Sequence, residues 1–272
     1  MQHFQLSVRD SSPAVLSAYL HDVSPEMPER IRRPAMLVLP GGGYHFCSDR
    51  EAEPFALEWL RRGYNTFVLR YTVISENDPA PLYLKPLADA AAAVSLIRHN
   101  ATEWGIDPQR IAAMGFSAGG HLCGSLAVHW DDARLAAPNA RPDAVILSYP
   151  VVSPREASGF GSVYVAEKLT SNEPEWLDYF AIEEQIRADM PPAFIWTTFE
   201  DGTVCPRHSL RLALAMQQKG LPCELHMYDH GVHGYGLGNA ETGNQHAPAD
   251  AQLASWTPLA AGWLNRLFDW EE

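Results

Sequence analysis

The sequence predicts an α/β fold: a mostly parallel central sheet with helices on both faces. Three observations predict it. Continuous apolar runs such as residues 35–39, bounded by proline and glycine, suit strands covered on both sides. Helix-like stretches alternate with these runs along the chain, which is the order of a βαβ architecture. The residues best suited to chemistry fall just beyond the carboxyl ends of strands, where ligands of such sheets sit. The 272 residues suit one domain, 1–272, with an insertion at about 150–190.

Taken in order, residues 4–9 and 14–20 are expected as two short strands around a turn at 10–13. A polar, proline-rich link at 22–33 leads into the buried strand at 35–39. Ser48-Asp49-Arg50-Glu51 has the pattern of a capping box, so a helix is expected from there to about Arg62, buried through Phe55, Trp59 and Leu60 and closed by Gly63. A strand follows at 64–71 and a loop at 74–83. A long alanine-rich helix is expected at 87–104, stopped by Gly105-Ile106-Asp107-Pro108. Residues 110–114 read as a strand, 118–130 as a helix and 143–149 as a strand. Residues 150–189, mixed in character, read as a partly helical cap. A strand at 193–198, a helix at 207–219, a strand at 223–228, a polar and mobile segment at 239–250, and an amphipathic helix at 251–270 complete the chain.

Between the strand at 110–114 and the helix at 118–130 stands Gly115-Phe116-Ser117-Ala118-Gly119, a G-x-S-x-G pattern. A strand-to-helix turn lifts a serine hydroxyl clear of the backbone, and flanking glycines make room for it. The helix start turns free N–H groups toward the place where negative charge develops. Three glycines, Gly41 to Gly43, follow the strand at 35–39 and expose backbone N–H groups; ahead of a serine elbow they read as half of an oxyanion hole. No Gly-Lys-Ser/Thr follows, so this is not a phosphate loop.

A serine hydroxyl needs a base, and the base needs a carboxylate to fix its tautomer. His233 is chosen as base because it lies in a glycine-flanked loop after the last strand; His230 is the second choice. His121, His129 and His226 fall on a helix or strand and read as structural. Asp201 is preferred as the acid, with Glu200 as its rival one residue earlier. The chain order Ser117, Asp201, His233 is then serine, acid, histidine.

Composition narrows the partners. A net charge of -13 argues against nucleic acid and anionic membranes, which need basic patches. Cys47, Cys123, Cys205 and Cys223 have neither zinc nor disulfide spacing and are expected as small buried residues of a reduced compartment. Neither a secretory leader at the start nor an apolar run of about 18 residues is evident, so a cytoplasmic location is expected. An edge strand leaves a homo-oligomer open. No metal or organic cofactor is expected.

The glycine loop with Ser48-Asp49-Arg50-Glu51, Gly105-Ile106-Asp107-Pro108, the serine elbow through His121, Glu200-Asp201 and His230-Gly231-Val232-His233-Gly234 together span residues 34 to 238. In these pieces the chain resembles the α/β-hydrolase superfamily, in its acetylxylan-esterase and feruloyl-esterase-like branch related to hormone-sensitive-lipase enzymes. The resemblance implies an α/β-hydrolase fold and Ser117, Asp201 and His233 as a catalytic triad. It implies the N–H groups of Gly42, Gly43 and Ala118 as oxyanion donors, and short acyl esters of sugars as substrates. Pro40 stands where lipase-like relatives carry a histidine, and Cys205-Pro206 where Val-Pro is more usual. The expected function is a serine carboxylesterase removing short acyl groups, acetyl above all, from carbohydrates. A longer-chain esterase or peptidase with the same triad and a non-catalytic binding module are the alternatives. Tyr44, Trp176 and Tyr235 are expected to line the substrate pocket, with Tyr164 as a further aromatic.

Overall fold

Side-chain alternation decides the layering. Along β3 (Arg33–Leu39) all seven residues are buried. Ala35, Leu37 and Leu39 pack into one apolar cluster, while Met36 and Val38 pack into a second on the other face. The same division runs along β5 (Ile106–Phe116), with Ile111 and Ala113 against Ala112, Met114 and Phe116. A strand wanted on both faces is hydrophobic at every position, which is why the period-2 signal vanishes here.

The computed structural model describes residues 1–10, 12–155 and 160–271; Ser11, within the expected turn at 10–13, and residues 156–159, within the expected insertion, lie outside the described residues. The remaining strands are β1 (Gln2–Ser7), β2 (Val15–Leu20), β4 (Asn65–Arg70), β6 (Ala144–Ser148), β7 (Ala193–Thr198) and β8 (Cys223–Tyr228). All eight form one sheet in the order β1-β2-β4-β3-β5-β6-β7-β8. The β1–β2 and β2–β4 pairs are antiparallel, and from β4 to β8 every pair is parallel. This is the α/β-hydrolase arrangement that the sequence predicts.

On one face lie α1 (Glu53–Arg61) and α8 (Trp256–Phe268), contributing Phe55, Trp59, Trp256 and Leu264 to the core. On the other lie α2 (Lys85–His99), α3 (Ala118–His129) and α6 (Arg207–Gln218), contributing Val94, Leu122 and Leu212. Between β6 and β7 the chain makes α4 (Phe160–Val165), a π-helical turn at Ala166–Thr170 and α5 (Pro174–Tyr179). A short α7 (Ala251–Ala254) precedes α8.

Several expectations are corrected. The long helix ends at His99 rather than at 104, and Trp104 instead packs against Phe67 of β4. Ser48 caps no helix: Asp49–Glu51 is a 3-10 turn, and α1 starts only at Glu53. Leu60 is only partly buried beside the fully buried Phe55 and Trp59. Of the cysteines, Cys123 is buried and the other three are half-buried, and none forms a disulfide among the described residues. The polar segment 239–250 is tied down. Arg50 donates from Nε to the Thr242 carbonyl at 2.8 Å, and Thr242, itself buried, accepts the Leu237 N–H at 2.9 Å. Among the described residues no helix is long and apolar enough to cross a membrane.

Candidate active site

Strand order brings the carboxyl ends of β3, β5 and β7 to one rim of the sheet. Ser117 follows β5 and opens α3 with φ 54° and ψ −116°. A left-handed serine costs roughly 1–3 kcal/mol, so its surroundings must hold it. They do so through the backbone: Ser117 N–H donates to the Ser148 carbonyl (3.0 Å), and its own carbonyl accepts from Val151 N–H (3.2 Å). The flanking glycines make the approach possible. A Cβ on Gly115 would stand 2.1 Å from the Gly119 carbonyl oxygen, and one on Gly119 2.1 Å from that of Leu39.

The hydroxyl so presented lies 2.8 Å from His233 Nε2, and His233 Nδ1 lies 2.7 Å from Asp201 Oδ2. A carboxylate only accepts, so Nδ1 carries the ring proton and Nε2 is left to accept the Ser117 proton. Asp201 is buried at the end of β7, and its other oxygen accepts the N–H groups of Thr203 (2.9 Å) and Val204 (2.8 Å). The Tyr149 ring packs against the imidazole in a T-shaped arrangement, at 5.1 Å between centroids. This relay can make a serine nucleophilic and return its proton to a leaving group.

The two choices left open by sequence separate in space. Glu200 turns away from His233 and accepts the Gly231 N–H at 3.2 Å. His230 sits at the surface between Asp229 and Asp250, whose carboxylates raise its pKa. His121 is fully buried, accepting from Tyr44 Oη (2.9 Å) and donating to the Phe180 carbonyl (3.0 Å). Burial pushes it down to about 4, so it is neutral near pH 7. His129 stacks on Tyr179, and His226 bonds Glu224.

Beyond β3 the glycine loop turns back toward Ser117. Gly42 and Gly43 have φ of 126° and 62°. Among the described residues, the N–H groups of Gly42, Gly43 and Ala118 have no hydrogen-bond partner. All three residues line one cavity of about 450 Å³ together with Ser117 and His233. Unpaired donors around a serine hydroxyl can stabilise a tetrahedral oxyanion.

Glu51, read from the sequence as a helix cap, enters this site. Its Oε2 accepts the Gly41 N–H at 2.8 Å and its Oε1 accepts from Tyr149 Oη at 2.7 Å. Glu51 is buried, and burial together with that carboxylate holds the Tyr149 phenol well above its usual pKa. One side chain thus fixes the glycine loop and the ring that backs His233. Nothing in the local pattern signals it, because both partners are distant in sequence or turned by the loop.

The structure places the three expected substrate-lining aromatics elsewhere. Tyr44 has φ 61° and is fully buried on His121. Trp176 packs on Tyr83 at 5.1 Å, with Arg134 over its ring. Tyr235 belongs to the buried cluster with Leu253 and Trp256. Among the described residues, Phe46, His45 and Tyr164 line the cavity in their place, beside His233.

Comparison with known proteins agrees with this architecture. The BD-FAE family model matches residues 22–151. Endo-1,4-beta-xylanase B of Butyrivibrio fibrisolvens is 41% identical over 83% of this chain and 35% of its own length. An acetylxylan esterase of Xylanibacter ruminicola is 28% identical over 86% of this chain and 46% of its own. The chain therefore spans less than half the length of either relative. The crystal structure of MGS-M1, an alpha/beta hydrolase from a Medee basin deep-sea metagenome library, covers 99% of both chains at 35% identity with a TM-score of 0.82.

Proposed function

Because the chain belongs to the α/β-hydrolase family, we propose that it is a serine carboxylesterase that removes short acyl groups, acetyl above all, from carbohydrate hydroxyls. The observation that carries the reading is the continuous hydrogen-bonded path from Ser117 Oγ through His233 to Asp201, opening on a cavity rimmed by unpaired N–H groups. The sugar-ester assignment draws on the similarity to an acetylxylan esterase and to a xylanase.

In this mechanism His233 Nε2 takes the Ser117 proton as Oγ attacks the ester carbonyl. The oxyanion is held by the N–H groups of Gly42, Gly43 and Ala118. Asp201 keeps the His233 tautomer and stabilises the imidazolium. His233 then protonates the departing alcohol, leaving an acyl group on Ser117. A water, deprotonated by the same Nε2, attacks that ester; collapse of the second oxyanion returns the proton to Ser117 and frees the acid. The segment from 150 to 190 serves as a cap, since Val151, Gly161 and Tyr164 from it line the cavity.

The test is hydrolysis of p-nitrophenyl acetate and of acetylated xylo-oligosaccharides by the wild type and Ser117→Ala. The variant is expected to lose activity by a factor on the order of 10⁶. Wild-type rates in Ser117→Ala would end the proposal. Fastest turnover of octanoyl or longer esters would move it to a longer-chain esterase.

A further inference from the structure

We propose that Phe46 and Tyr164 form the two aromatic walls of a subsite for the sugar ring of the ester's alcohol, a proposal that rests on the carbohydrate-esterase reading above. The two rings come from different segments, Phe46 from the glycine loop and Tyr164 from α4, and both line the cavity that holds Ser117. Each flanks one oxyanion glycine. A Cβ on Gly42 would lie 3.2 Å from Phe46 Cδ2, and one on Gly43 would lie 3.8 Å from Tyr164 Cγ.

Both rings are open to solvent, Phe46 at 60% exposure and Tyr164 at 41%. Phe46 N–H donates to the Gly42 carbonyl at 3.3 Å, and the His45 ring meets Tyr164 edge-on at 6.1 Å between centroids. Large rings with solvent-exposed surface beside the nucleophile are suited to cover the apolar C–H face of a ligand.

Chemistry and space together favour a sugar as that ligand. An acetyl methyl group occupies little of the roughly 450 Å³ cavity, so most of it is left for the alcohol. A long acyl tail calls for continuous apolar walls, whereas here Ser48, Arg50 and Thr203 share the lining with the aromatic rings. Flat apolar faces edged by hydroxyl-bonding groups match a pyranose, which has C–H faces and a hydroxyl rim.

The test measures kcat/KM for an acetylated xylo-oligosaccharide and for ethyl acetate, whose alcohol has no ring, in the wild type, Phe46→Ala, Tyr164→Ala and Tyr164→Phe. Unacetylated xylotriose is also titrated as a competitive inhibitor of ethyl acetate hydrolysis. The ratio of sugar ester to ethyl acetate is expected to fall roughly five- to tenfold in each alanine variant, through KM, with xylotriose inhibition weakening in parallel. Tyr164→Phe is expected to restore the ratio, since stacking uses the face and not the hydroxyl. An unchanged ratio, or equal losses on both esters, in an enzyme that cleaves the sugar ester overturns the subsite and leaves the esterase reading intact. A wild type that cleaves neither ester sinks both.

Discussion

Removing the Glu51 carboxylate should slow the reaction without weakening substrate binding. In Glu51→Ala the Gly41 N–H and the Tyr149 hydroxyl lose their acceptors, at 2.8 and 2.7 Å in the native site. Each charge-assisted bond is worth about 1.5–3 kcal/mol, and a buried N–H left without a partner costs about 1–3 kcal/mol. The loop can relieve that cost by turning, and turning moves the N–H groups of Gly42 and Gly43 off the oxyanion. Loss of one such donor lowers kcat by about 10²–10³. The expected result for Glu51→Ala is a kcat about a hundredfold down on ethyl acetate, with KM within roughly threefold of wild type. Glu51→Gln keeps an acceptor for Gly41 and is expected to recover most of the loss. Steady-state kinetics corrected for folded fraction by circular dichroism reads both variants. A raised KM with unchanged kcat would refute the reasoning, because it would make Glu51 a substrate contact rather than a support of the loop.

Three further outcomes follow from other contacts. Asp201→Asn must point its amide NH2 either at His233 Nδ1 or at the N–H groups of Thr203 and Val204, so donor faces donor in both poses; kcat is expected to fall about 10⁴-fold, read on p-nitrophenyl acetate. Gly119→Ala would put a Cβ 2.1 Å from the Leu39 carbonyl oxygen and is expected to cost about 3 kcal/mol or more, whereas Gly202→Ala meets nothing within 4 Å and should stay within about 0.5 kcal/mol, both by urea unfolding. His121 has its folded pKa pushed down from 6.5 to about 4, so the unfolded chain binds the extra proton between those values. Its contribution is therefore present above about pH 6.5 and is lost as pH falls toward 4, by roughly 3 kcal/mol; His121→Gln should flatten that part of the urea stability profile.

How much of this was legible depends on whether a signal was local. Ser117 could be read from a pattern seated between a strand and a helix, and His233 from a glycine-flanked loop after the last strand. Asp201 is preferred to Glu200 by sequence but not separated from it, because a one-residue step in an exit loop decides which carboxylate faces the histidine. The order of strands gave no clue to that turn. Here Glu200 holds the backbone at Gly231 while Asp201 sits buried under His233. Among the aromatics, sequence position misleads for a similar reason. Tyr44 lies one residue from Gly43, yet its left-handed backbone swings the ring inward onto His121, while Phe46, two residues on, stays at the mouth.

Glu51 is the instructive failure. Ser48 and Glu51 have the spacing of a reciprocal helix cap, and a local rule has no means of rejecting it. What overrides it is a stronger demand from elsewhere in the chain. The glycine loop is braced at Gly41 while the N–H groups of Gly42 and Gly43 stay free, and a Cβ on Gly41 would meet the Phe116 carbonyl oxygen at 2.9 Å as well as Glu51 Oε2 at 2.6 Å. The carboxylate is also the acceptor for Tyr149, whose ring packs against His233. One buried acid therefore ties the proposed oxyanion donors to the proposed base across 98 residues of sequence. Local propensity at Ser48 gives way to that linkage, and the helix starts at Glu53, four residues later than a cap at Ser48 predicts.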